Sequence, residues 1–236
     1  MEEKRISRIE FWPYDIFGYL LPGLIASAAL ICCNSSLQRL CSTLVKDNEF
    51  YVAIAIAISA YLIGHLIAAL SSLFLERIIV RHTMKYPTER MFDRSKAGTR
   101  KAWFYTSYSR PYSKEFIDLV DRKFMEVYGV IPSDVHDRFW MAWSYITLHH
   151  PPAFRRSTHF LELYGFARNS SMSLLISAFY PVLFHSSWNA DISPLAWVIV
   201  LSASSLVMFM NYLKLLRRDN DEIFRGFVAC DSVKKF

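Results

Sequence analysis

Apolar positions in this chain come in blocks rather than in amphipathic periods. Ile16 to Gln38 and Phe50 to Leu75 contain no charged side chain, and after a long charged stretch neither do Ser170 to Ala190 or Ile192 to Leu213. At about 1.5 Å of rise per residue, roughly 20 residues cross the hydrocarbon core of a bilayer, and each block reaches that length. A buried helix of a soluble domain would show a polar stripe at helical spacing, whereas these runs carry only scattered Ser, His and Asn. Only Asp191 separates the last two blocks. Its charge at mid-bilayer and the helix-breaking Pro194 both place Asn189 to Ser193 in a tight outer turn, with a broken or re-entrant pair as the alternative.

The pattern therefore predicts an all-α, polytopic membrane protein with four transmembrane helices in two hairpins. A cytoplasmic leader covers residues 1–15, a first hairpin 16–75, a helical cytoplasmic domain 76–169, a second hairpin 170–213 and a cytoplasmic tail 214–236. Within the middle, Glu76 to Arg100 reads as an extension of span two ending in a polar turn at Ser95 to Thr99. Ser113 is positioned to cap a helix carrying Phe116, Val120, Phe124 and Val127 and ending near Gly129. Ser133 would cap a second helix with Phe139, Trp140 and Trp143, stopped by Pro151-Pro152, and a third begins near Phe154 and runs into span three.

Charge fixes an orientation. Hydrophobic residues make up 53% of the chain and charged residues 20%, with a net charge of +6, which suits apolar spans joined to a substantial wet part. Lys and Arg crowd the leader, the middle and the tail, while the loop between spans one and two has only Arg39 and Lys46 and the second hairpin has none. The positive-inside rule then makes both termini and the middle cytoplasmic, as an even number of spans requires. The cations are accounted for by an anionic lipid bilayer as partner, with no need for nucleic acid. Ala26-Ser27-Ala28 has the look of a cleavage site, but four acids precede the apolar run and the run continues beyond it, so a retained helix is expected. The four cysteines lack zinc-ligand spacing. Free thiols are expected, although the outer face would permit a Cys33–Cys41 bridge.

Candidate positions follow from residue size and polarity. Ala60, Gly64, Ala68 and Ser72 recur every fourth position on span two, where a helix can approach closely, either within the chain or in a homo-oligomer. Span one offers Gly18, Gly23 and Ser27, with Pro22 able to bend it. His65 adjoins the small-residue face at membrane depth and is a candidate for pore lining or proton relay, or simply a hydrogen-bonded imidazole. Asn211 lies near the inner interface. No carboxylate is embedded in a span and no internal repeat is visible, so ion-coupled transport is poorly supported.

The aromatic residues of the middle, Trp103, Phe104, Tyr105, Tyr108 and Tyr112 among them, alternate with cations as in nucleic-acid binders, but a helical core or an interfacial belt needs the same residues. Lys101 to Pro111 is the part that packing explains least. His149, His150 and His159 beside Glu162 match no zinc pattern. No metal, cofactor or catalytic set is expected.

Two stretches, Pro13-Tyr14-Asp15-Ile16-Phe17-Gly18-Tyr19-Leu20-Leu21-Pro22-Gly23 and Tyr164-Gly165-Phe166-Ala167-Arg168-Asn169, resemble small membrane proteins of bacterial antiphage systems, in particular the transmembrane effector of a retron. The resemblance covers about a fifth of the chain. It implies a reverse transcriptase and its RNA–DNA hybrid as partners, and an activity that damages the inner membrane and kills the infected cell. Asp15, Arg168 and Asn169 would lie at one depth as a polar pair joining the two hairpins. Three functional classes are in play. A membrane effector would open a leak, a scaffold would recruit a cytoplasmic complex, and an enzyme would use His149, His150, His159 and Glu162. The effector is the expectation carried forward.

Overall fold

The computed structural model describes residues 15–92, 108–184, 188 and 192–230. Every element among them is helical, and they form no strand. The elements are α1 (Asp15–Cys33), α2 (Ser35–Ser71, continuing through Ser72–Met84), α3 (Pro87–Phe92), α4 (Lys114–Tyr128), α5 (Val135–His149), α6 (Pro151–Ala178), α7 (Tyr180–Leu183) and α8 (Pro194–Ala229). Three helices among the described residues are long and apolar enough to cross a membrane: Asp15–Cys33, Asn48–Phe92 and Pro194–Ala229. Only 28%, 22% and 17% of their most apolar stretches is buried inside the chain, an extent of outward apolar surface that suits a membrane protein. The predicted leader apart from Asp15, the polar turn Ser95 to Thr99, Trp103, Phe104, Tyr105 and the turn residues Asn189 to Asp191 lie outside the described residues.

Contacts divide the chain into two compact units, one of residues up to Ser72 with Gly165–Phe209, the other of Leu73–Tyr164 with residues from Met210 onward. In the first unit the expected span one, Ile16 to Gln38, stops short. Asn34 leaves helical geometry, and its side-chain oxygen accepts the N–H groups of Ser36 and Leu37, which caps α2 and places the turn there. Asn48, at φ −152° and ψ 54°, then bends α2 just before its apolar run. The expected span three also differs. Its helix ends at Ala178, and after Phe179 only the short α7 follows, with Pro181 near its start.

In the second unit, α2 runs beyond Leu75 in wide π-type turns and ends at Met84 rather than near Arg100. Lys85 takes φ +65°, and Arg90 donates from Nε and Nη2 to the Met84 carbonyl at 3.0 and 2.9 Å, satisfying a buried helix end. Ser113 caps α4 through the Phe116 N–H, and Gly129 ends it at φ +69°. Asp134, one residue after the expected Ser133, caps α5. Pro151 and Pro152 open α6, where a first-turn proline forfeits no hydrogen bond.

The core of this unit gathers Met91, Tyr112, Val120, Phe124, Ala142, Ile146, Ile223, Phe224 and Phe227. The last three belong to the expected tail. Helix α8 is continuous past Leu213, so these residues build the core instead of trailing from the last span.

Candidate functional site

The four-residue rhythm of α2 is used inside the chain. Ala60, Gly64 and Ala68 are buried, whereas Ser72 is exposed and its neighbour Ser71 takes the inward place. A Cβ on Gly64 would lie 1.9 Å from the Tyr19 carbonyl oxygen, and one on Gly23 1.8 Å from that of Ala60. Helices α1 and α2 thus meet backbone to backbone, which only these glycines permit. His65 lies beside this contact but faces outward. Its ring stacks on Tyr19 at 3.9 Å between centroids and meets Tyr61 edge-on at 4.6 Å.

Asn169 is the centre of the polar junction. Proline at position 22 has no N–H to give to the carbonyl four residues back, that of Gly18, and this carbonyl accepts the Asn169 side-chain amide at 2.7 Å. Asn169 in turn accepts from Ser71 Oγ at 2.5 Å and from Arg168 Nε at 3.3 Å. One residue therefore links α6 to both α1 and α2. Arg168 is buried beside it, and Asp15 lies half-buried at the first turn of α1. The same device recurs at Pro181, whose missing N–H releases the Ser177 carbonyl; Trp197 Nε1 donates to it at 3.0 Å. Side chains of neighbouring helices re-satisfy both proline-freed carbonyls, as a non-aqueous surrounding demands.

Further along α6, Ser173 Oγ donates to Pro22 O at 2.7 Å, and Tyr180, at the start of α7, reaches Ala26 O at 3.4 Å. Ser171 and Ser205 exchange hydroxyl-to-carbonyl bonds with each other's backbones at 2.9 and 2.8 Å, tying α6 to α8. The hydroxyl oxygens of Ser27 and Ser170 are also buried, and neither has a hydrogen-bond partner among the described residues. The first unit therefore has a polar seam inside and apolar faces outside. Sequence reasoning singled out Asn169 but missed Ser71, Ser171, Ser173 and Ser205. The signal available was the serine density of 170–177, inside a block classified only as apolar.

The second unit separates the histidines. His150 Nδ1 accepts the Ala153 N–H at the start of α6, His149 lies against the Tyr145 ring, and His159 is exposed 4.0 Å from Glu162. Among the described residues no three His, Cys, Asp or Glu side chains are grouped to hold a metal ion. The four cysteines are free thiols. Tyr108 and Tyr112 are buried: Tyr108 donates to the Lys85 carbonyl, and Tyr112 donates to Asp221 at 2.9 Å. Arg217 reaches the carbonyls of Tyr108 and Arg110, so packing onto α8 accounts for the described end of the aromatic, basic stretch.

Asp219 sits on α8 beyond Lys214, past the apolar stretch, and accepts from Ser157 Oγ on α6 at 2.7 Å. Burial pushes its carboxyl up to about 7, partly offset by the Ser157 bond. Folded protein therefore holds this proton between the unfolded value near 4 and about pH 7, where the unfolded chain has lost it. Stability should be greatest below pH 4 as far as this group is concerned. It should fall as pH rises toward 7, at most by about 1.4 kcal/mol per pH unit. Asp219→Asn should remove that slope in detergent-solubilised protein, measured by unfolding midpoints from pH 4 to pH 8.

Comparisons with protein-family models, with curated proteins and with solved structures give no match to this chain.

Proposed function

We propose that the chain is an inner-membrane effector of a bacterial antiphage system, one that impairs membrane integrity when activated and so causes abortive infection. The observation that carries this reading is the polar seam within the first unit. Helix α6 from Asn169, with Tyr180 at the start of α7, lies alongside Gly18 to Ala26 of α1, at the same depth as a helix with the length and hydropathy of a span. Ser171 and Ser173 are tolerated because α8 and α1 accept their bonds, and Asn169 because α1 and α2 do; lower hydropathy is what a helix with polar partners on three neighbours should have. This supports a reading with four crossings in two hairpins, both termini and the cation-rich middle facing the cytoplasm.

The seam suggests how such a protein leaks. In the arrangement described, backbone carbonyls satisfy the hydroxyls of Ser171, Ser173 and Ser205, which need no water. Parting α6 from α8 would free Ser171 and Ser205, with the unpaired hydroxyls of Ser27 and Ser170 in the same unit, to hydrogen-bond water. The helical second unit supplies the partner-sensing part, and the resemblance of Pro13 to Gly23 and of Tyr164 to Asn169 to retron effectors points to a reverse transcriptase carrying an RNA–DNA hybrid.

Induced expression while membrane potential is followed by a voltage-sensitive dye tests the reading. Wild type should depolarise cells within minutes, and Ser171→Ala with Ser205→Ala should abolish the effect while the protein still reaches the membrane. Toxicity at unchanged potential, lost in His149→Ala, would replace the leak with an enzyme.

A further inference from the structure

The face of α2 around His65 poses a problem that the single chain does not solve. Ile58, Leu62, His65 and Ala69 follow one another at intervals of four, three and four, and all are exposed. This is the spacing of a helix–helix seam. The seam lies within the charge-free run Phe50 to Leu75, where ten residues, about 15 Å of helix, separate His65 from its cytoplasmic end. The ring faces of His65 are occupied by Tyr19 and Tyr61, which fix its orientation. Among the described residues neither ring nitrogen has a hydrogen-bond partner, and neither does the Tyr61 hydroxyl. Hydrocarbon offers neither donors nor acceptors, so an outward imidazole at this depth calls for a polar group from another membrane-embedded chain.

We infer that the exposed face of α2 is a contact between two copies of this chain, with His65 and Tyr61 hydrogen-bonding across it. Imidazole is self-complementary, because a neutral ring carries one donor and one acceptor, and the tyrosine hydroxyl is both. Across a two-fold axis each copy supplies what the other lacks, which no lipid chain can do. Ile58 and Leu62, 57% and 60% exposed, flank the polar pair with apolar surface, and the small Ala69 lets the helices close. The face is separate from the Gly64 side of α2, which α1 already fills. A single polar position in an apolar seam also fixes register. The inference rests on the membrane placement of α2 proposed above, and not on the leak.

Single-molecule photobleaching of the labelled full-length chain, in vesicles of phosphatidylethanolamine and phosphatidylglycerol, counts copies without reading conductance. Wild type should bleach in two steps. His65→Leu, which removes no internal contact beyond its ring stacking, should weaken association by roughly tenfold, and His65→Gln should largely keep it. Val207→Trp, on the exposed side of α8, should leave two steps. One-step bleaching of wild type, or two-step bleaching undiminished in His65→Leu, would overturn the contact. Loss of association in Val207→Trp alone would move it to α8 and overturn it equally. A dimer that never depolarises vesicles would refute the leak only, and a leak from single copies would refute this contact only.

Discussion

Gly64→Leu is expected to be the most damaging single substitution in the first unit, costing at least about 3 kcal/mol and separating α1 from α2. The atoms in the way are backbone. Beyond the Tyr19 carbonyl oxygen, a Cβ would lie 2.6 Å from its carbon and 3.0 Å from its Cα. No rotamer change relieves such a clash, so one helix must move. Moving α1 also withdraws the Gly18 and Pro22 carbonyls from Asn169 and Ser173, leaving buried polar groups without partners in an environment that supplies none. The damage therefore spreads from a steric contact to the seam. Thermal unfolding followed by circular dichroism in mild detergent reads the effect, and even Gly64→Ala should lower the midpoint clearly. Gly226→Ala is the informative comparison in the other unit. There the nearest obstacle is the Ala153 Cβ at 2.6 Å, a less severe overlap than the 1.9 Å at Gly64, so a smaller loss is expected.

Phe224→Ala should be the counterpart in the second unit, with a loss of about 3–5 kcal/mol. Its side chain is fully buried and its ring meets Phe92, Tyr112 and Phe139 at 4.9, 6.4 and 6.5 Å. Removing it leaves a void where α3, α4, α5 and α8 converge, and these rings cannot all close on it. The near-ultraviolet dichroism of the aromatic core should fade and limited proteolysis of the second unit should accelerate, while helical content changes little at first. Equal protease resistance in Phe224→Ala would mean that α8 does not complete this core.

These two substitutions mark what the sequence disclosed and what it hid. Gly64 was legible, because small residues every fourth position describe a helix face whatever covers it. The end of the stripe was not: π-type turns set in at Ser72, and Ser71 turns inward to meet Asn169. A register change of that kind leaves no trace in residue size. Phe224 was hidden for another reason. Charged residues from Lys214 onward read as a solvated tail, yet Asp219, Asp221 and Glu222 are all paired, to Ser157, Tyr112 and Arg156, which lets the same helix bury Ile223, Phe224 and Phe227. Charge signals exposure only where no partner waits. The caps of α4 were legible at both ends, since Ser113 and Gly129 act through bonds only two to four residues long. Asn34 was overlooked because the uncharged residues on either side looked like one continuous span.

The expected span three gives the sharpest lesson. Hydropathy counts what a helix would cost in lipid, but α6 between Asn169 and Ala178 is lined by protein, and its polarity reports neighbours rather than water. Both proline devices follow the same logic. Pro22 and Pro181 look like helix breakers in the sequence, while in the fold each exposes one carbonyl that a distant side chain collects.

The central claim is that apolar faces of this protein look outward into lipid around a polar interior. A nitroxide amino acid at Val207, 63% exposed on α8, tests it in reconstituted vesicles by comparing collisions with oxygen, which concentrates in hydrocarbon, and with a water-soluble nickel chelate. The account predicts frequent oxygen collisions and almost none with nickel. Ready access of the nickel chelate to Val207 would place α8 in water and contradict it.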